Sequence, residues 1–507
     1  MSSRALIRQI ALVLACLATA TVVLGLYGLA LNVDASAFLV IGRAWVAGTP
    51  PYSGLWDDKP PGIYILAAIA NLIDRHGDGV VALRVLSIGS IVGTALAIDG
   101  VVRHLTGRVG AGIASAILIT VLVASPLLSL GGGLTELFAT TGTSIALLTT
   151  LKSRSGSRRM AFVAGISLGW AVSCSLLSVG MIPALAFVWL SDPSTRTGDA
   201  PKGLAEWIKP GSLGWFTLGG AIVCAACWAP VIVSGSLGAG LDAVVGYNAL
   251  YRSLAIFEPA QWIVWILFLF PFWLPALTTV ALIRRDDHPE LTRIALIWIA
   301  GGLGWLLWGQ RFFPHYLLML TVPAVLLTVS GALRLRNLTL PHRRRMTSVI
   351  YVELLLMGLA GLIWYGPGSP MPEALINRAV ADYIDARTAQ PDGIYVWGYS
   401  PDIYLSADRM PRGRFFYLLP LMTPGFGETA ADEMLRTWNS NPPLLIVDAS
   451  FGTASHGAMA PLLVDHPIAT EDRRTASSAL DELRSFVRDH YEMTVVIGDK
   501  RIYRYRG

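Results

Sequence analysis

The sequence predicts a polytopic all-α membrane protein of about eleven transmembrane helices, followed by a soluble C-terminal α/β domain. Three observations predict it. Of 507 residues, 54% are hydrophobic and only 14% charged, and the mean hydropathy of +0.56 is too high for an ordinary soluble fold. Basic residues gather at alternate ends of the apolar stretches. Composition then changes abruptly after residue 366, where charge and proline return and long apolar runs stop.

Apolar segments bounded by charges fall at about 10–31, 80–102, 109–129, 135–151, 160–173, 176–190, 213–235, 261–283, 294–309, 315–332 and 347–366. A helix of roughly 20 residues crosses a hydrocarbon core of about 30 Å. The first run, behind Arg4 and Arg8, is long enough to be an uncleaved span rather than a signal peptide. Lys and Arg accumulate in cytoplasmic loops. With the N-terminus inside, nineteen of them fall on the cytoplasmic side, against six on the other side outside the tail. An odd number of spans then puts the tail outside. The net charge of +5 sits at span ends, so nucleic acid is not an expected partner. Cys16, Cys174, Cys224 and Cys227 all lie in apolar stretches, and the C-x-x-C pair reads as small-residue helix packing.

Between the first two spans, residues 32–79 form a structured outer loop. Residues 36–47 and 61–73 are apolar but too short to span, and read as interfacial helices. Pro60 and Pro61 stand where prolines are tolerated at a helix start. In the tail, 367–507, helices are expected over 374–386 and 478–490 and buried strands at 393–397 and 444–448. A hairpin is expected around Gly498 and Asp499, and the alternation argues a small α/β module. The domains are therefore 1–366 and 367–507.

The residues that could carry chemistry cluster on the outer side. Asp34, in N-V-D-A-S-A-F, meets water at the end of the first span. It can act as general base on an acceptor hydroxyl or simply cap the helix that follows. The loop P-P-Y-S-G-L-W-D-D-K-P-P-G carries Tyr52, Trp56, Asp57, Asp58 and Lys59. Lys59 suits a phosphate, and the rings give a sugar a flat surface; both also fit membrane-interface anchors. Glu136 follows Gly131, Gly132, Gly133, Leu134 and Thr135, where an N-cap at Thr135 and an acid in the first turn suit the helix dipole. The turn R-F-F-P-H-Y brings Arg311, His315 and Tyr316 together. Tyr247, Asn248, Tyr251 and Arg252 read as a structural loop, and Asp99 with Arg103 as a solvated i, i+4 pair.

Taken together, the acid after span one, the W-D-D-K-P-P loop, the glycine turn ending T-E-L-F, the R-F-F-P-H-Y turn and the external tail resemble the GT-C glycosyltransferases. The pattern is most similar to family 39, the protein mannosyltransferase and aminoarabinose transferase group. The likeness covers most of the membrane region and is strongest from Asp34 to Pro61. It implies transfer of a sugar from a polyprenyl-phosphate carrier to an extracytoplasmic glycan, lipid or protein acceptor by single inverting displacement at the plasma membrane. Asp34 would be the base. Lys59, Tyr52, Trp56, Arg311, His315 and Tyr316 would bind donor phosphate or sugar, and Glu136, Asp57 and Asp58 would form an acceptor or second acidic site. Many relatives have paired acids at the first position, whereas Ala35 follows Asp34 here, so neither a divalent metal nor another cofactor is supported. A transporter or lipid flippase would need polar groups near the bilayer midplane, which these spans lack. A non-catalytic envelope scaffold is the third reading. Arginine outnumbers lysine thirty-four to five, an association with bacterial genomes.

Overall fold

The computed structural model describes residues 3–25, 32–75, 77–191, 210–251, 288–309, 313–335, 371–450, 462 and 478–507. The chain divides into two compact units. One comprises Met1–Leu29, Arg84–Cys227 and Phe257–Pro367; the other comprises Ala30–Leu83, Trp228–Ile256 and Gly368–Gly507.

The first unit is helical. Among the described residues, five helices are long and apolar enough to cross a membrane: Ser3–Gly25, Val80–Thr106, Ser212–Val233, Pro289–Gly309 and His315–Arg334. The protein is thus a multi-pass membrane protein. Other expected spans appear as the helices Val109–Ala124, Thr135–Ser153, Arg158–Cys174 and Ile182–Leu190. Those expected at 261–283 and 347–366 lie outside the described residues. The four cysteines are free thiols; Cys224 Sγ lies 3.7 Å from the Gly169 carbonyl at a helix seam, as small-residue packing requires. Asp99 and Arg103 do pair, but Asp99 is buried rather than solvated. Its position faces a neighbouring helix instead of water.

In the second unit, helix Val33–Val46 packs on helix Gly62–Ile73. Both stand where the sequence puts short apolar helices. The first is no surface helix, however: Ala35 through Gly42 are all buried. Its apolar residues are used against protein, which explains why it lacks the polar face of an interfacial helix. A Cβ on Gly42 would come within 2.7 Å of the Ala68 nitrogen, so the crossing depends on the missing side chain.

The tail contributes a four-stranded sheet of β1 (Ile394–Trp397), β2 (Leu445–Asp448), β3 (Tyr491–Ile497) and β4 (Lys500–Tyr505), in the order β1-β2-β4-β3. β1 and β2 run parallel and are wholly buried, as their unbroken apolar sequences demand. β3 and β4 form the hairpin expected at Gly498 and Asp499. Helix Gly427–Ser440 lies in the crossover connection from β1 to β2 and buries Ala430, Ala431, Met434 and Trp438. Helices Met371–Asp385 and Ser478–His490 complete the module.

Gly42→Val should push the two short helices apart and destabilise the protein by about 1–3 kcal/mol. The check is the thermal midpoint in detergent, and an unchanged midpoint would mean that the crossing tolerates a Cβ.

Candidate active site

The second unit brings together Asp34, Tyr52, Trp56, Asp57, Asp58 and Lys59. Asp34 lies in the first turn of helix Val33–Val46 without being its cap: Asn32 takes that role, its side chain accepting from the Ala35 amide at 2.8 Å. The half-buried Asp34 carboxylate instead accepts a 2.6 Å hydrogen bond at Oδ1 from the hydroxyl of Tyr399. Tyr399 sits just past the end of β1. Gly398, at φ 131°, lets the chain turn there; a Cβ would meet the Ala449 carbonyl carbon at 2.9 Å. Helix Val33–Val46 is also held to the tail by Arg43 and Asp408, 2.9 Å apart.

The cassette is folded rather than splayed. Tyr52 adopts a positive φ of 70°, an uncommon backbone for a residue with a Cβ. Its hydroxyl donates to the Lys59 carbonyl at 2.8 Å and its ring stacks on Trp228, closing the loop. Arg414 of the tail donates through Nε to the Tyr52 carbonyl at 2.6 Å, while the Trp56 amide donates to the Arg414 carbonyl at 3.0 Å. Trp56 is 1% exposed, with ring neighbours Tyr247, Phe415, Tyr417 and Phe426. Both aromatic rings are therefore committed to packing, and neither offers an open face to a sugar. Asn248 donates to the Asp58 carbonyl at 3.0 Å.

Asp57 and Asp58 are buried side by side. Asp57 Oδ1 accepts from the Tyr417 hydroxyl at 2.9 Å and the Asp58 amide at 2.8 Å. Its buried Oδ2 has no hydrogen-bond partner among the described residues. Burial, and next the Asp58 charge, push the Asp57 carboxyl up to about 7 despite Lys59. Lys59, about a quarter exposed at its side chain, pairs with Asp58 at 2.7 Å. Burial keeps Tyr399 and Tyr417 well above an ordinary phenol, reinforced by Asp34 and Asp57 respectively. Both remain protonated donors, and their rings lie 4.9 Å apart. Contacts thus run from Asp34 through Tyr399 and Tyr417 to Asp57, Asp58 and Lys59.

Compared with known proteins, no family model and no curated sequence matches the chain. Among solved structures, ArnT from Cupriavidus metallidurans in the apo state aligns at TM-score 0.62 and 13% identity, over 99% of this chain and 98% of that one. The same ArnT bound to undecaprenyl phosphate aligns at 0.61 and 12%, with equal coverage. The chain has an ArnT-like GT-C fold. The oligosaccharyltransferase of Archaeoglobus fulgidus, in complex with zinc and sulfate, aligns at 0.47 and 14%, over 86% of this chain and 67% of that one. The GT-C fold implied by the motif resemblance is borne out.

The remaining candidates belong to the first unit. Glu136 is buried in the first turn of Thr135–Ser153 and accepts from the Ser175 hydroxyl at 3.2 Å. Leu134, not Thr135, holds the cap position. His315 and Tyr316 lie in the turn Pro314–Leu317, their rings 4.8 Å apart; Arg311 lies outside the described residues. Among the described residues, no group of three or more His, Cys, Asp or Glu side chains is placed to hold a metal. Sequence reasoning missed Tyr399, Tyr417 and Arg414, and gave Tyr247 and Asn248 only a loop role. Tyr399 lies 365 positions from Asp34, beyond any local pattern. The available signal was a tyrosine directly following a buried strand and a glycine.

Between roughly pH 4 and 7, folded Asp57 holds a proton that the unfolded chain has released, so its contribution to stability falls as pH rises through that window. Asp57→Asn keeps an acceptor for Tyr417 and removes the charge. Its thermal midpoint relative to the parent should rise between roughly pH 4 and 7 and level off above. A pH-independent difference would show that Asp57 is ionised in the fold throughout.

Proposed function

We propose that the protein is a membrane glycosyltransferase that moves a sugar from a polyprenyl-phosphate carrier to an extracytoplasmic hydroxyl, with inversion. The observation that carries the reading is the Asp34 carboxylate, partly open and held by Tyr399, in the unit that also holds Lys59. The end-to-end fold likeness to ArnT, crystallised with undecaprenyl phosphate, supports a carrier of that class.

Asp34 takes the proton of the acceptor hydroxyl as its oxygen bonds to the anomeric carbon. The bond from that carbon to the phosphate oxygen breaks, and the polyprenyl phosphate leaves with the electron pair. Lys59 stabilises the departing phosphate charge, with Arg311 as a further candidate. His315 and Tyr316 are candidates for donor contacts, and Glu136 for the acceptor side. Because Ala35 follows Asp34, no step is routed through a metal held by adjoining acids. In this reading the N-terminus is cytoplasmic, residues 1–366 form the membrane domain and 367–507 face the outside of a bacterial plasma membrane.

A deletion strain should accumulate the carrier-linked sugar, identified by mass spectrometry, and that lipid then serves as the donor in membranes. Asp34→Asn should lower kcat by about 10²- to 10⁴-fold, and Lys59→Ala should mainly weaken use of the donor. Undiminished transfer by folded Asp34→Asn protein would remove the mechanism. Solute uptake by reconstituted protein without glycosyl product would favour a transporter.

A further inference from the structure

Asp34 is useful as a base only if its carboxylate faces the acceptor in a fixed orientation. A carboxylate at the start of a helix turns about its last torsion unless something arrests it, because that torsion is broad and roughly two-fold. Here the arrest comes from the far end of the chain. The Tyr399 hydroxyl meets Asp34 Oδ1 at 2.6 Å, in the short range of bonds to charged acceptors. Its ring is held in turn against Tyr417, 4.9 Å away, whose own hydroxyl is fixed on Asp57 at 2.9 Å. Gly398 passes so close to Ala449 that a Cβ there would meet its carbonyl carbon at 2.9 Å, which sets Tyr399 at the mouth of the parallel strands.

Resting on the base assignment to Asp34, we propose that Tyr399 of the C-terminal α/β domain is a positioning residue for that base. It fixes the plane of the carboxylate and tunes the pH at which the carboxylate accepts a proton. The tail is then a working part of the site. Its hydroxyl remains a donor throughout the working range, because burial and the facing charges of Asp34, Asp57 and Asp58 all oppose its ionisation. Tyr417 faces it from the tail itself.

The test uses the full-length protein in membranes with the donor that accumulates in the deletion strain, following rate against pH. Tyr399→Phe keeps the ring and its packing and removes the hydroxyl. An O–H donated to a carboxylate stabilises the charged form, so the acid limb of the kcat profile should move up by about one pH unit. At the optimum, lost orientation should lower kcat about 10-fold or more, with KM for the donor unchanged. A 3-fluorotyrosine placed at position 399, a stronger donor of the same shape, should move the acid limb the other way. That variant keeps the measurement decisive if Tyr399→Phe folds poorly. An unmoved acid limb and unchanged kcat in both variants, with Asp34→Asn inactive, would overturn the positioning role while leaving the base in place. An active Asp34→Asn would overturn the base assignment and this inference with it.

Discussion

The second unit depends on the removal of loop carboxylates from water. Asp57 and Asp58 are both buried, adjacent, and drawn from one short loop. Two such charges side by side cannot both persist at low cost. The structure resolves the conflict by several means at once. Lys59 neutralises Asp58, Tyr417 donates to Asp57, and Asp57 is pushed toward its neutral form. Because the tail supplies Tyr417, and Arg414 ties the same loop by its backbone, outer loop and tail are one folding problem. Asp34 joins it through Tyr399.

That dependence changes the meaning of the aromatic residues in the cassette. Tyr52 and Trp56 have the look of a sugar platform when read alone. In the fold they are the loop's internal scaffold: Tyr52 accepts a left-handed backbone and closes the turn on the Lys59 carbonyl. Trp56 fills the space among Tyr247, Phe415, Tyr417 and Phe426. Of the charged side chains of Asp34 and the cassette, Asp57 and Asp58 are buried, and Asp34 and Lys59 remain partly open. A rigid aromatic support beneath two charged groups is what preorganised electrostatics requires.

Much of the architecture was legible in the chain because it rests on local rules. The helices Gly62–Ile73 and Ser478–His490, the strands β1 and β2 and the hairpin at Gly498 follow from apolar period, proline placement and turn chemistry. The buried state of Val33–Val46 was not legible: an apolar helix of that length reads equally as lying on a bilayer or in a protein. Asn32 rather than Asp34 became the cap because either residue suits the position and the choice depends on where the chain enters the helix. The candidate site was half legible. Asp34 and the cassette are local motifs, whereas Tyr399 and Tyr417 meet them only through tertiary folding across more than 350 positions.

The assignment of Asp34 and Lys59 to one donor site is tested most directly by a cryo-EM structure of the protein saturated with undecaprenyl phosphate. The phosphate is expected within hydrogen-bond reach of Lys59 Nζ, with the Asp34 carboxylate, still held by Tyr399, bordering the space where the sugar would stand. A phosphate seated away from Lys59, on a surface that Asp34 does not border, would contradict it.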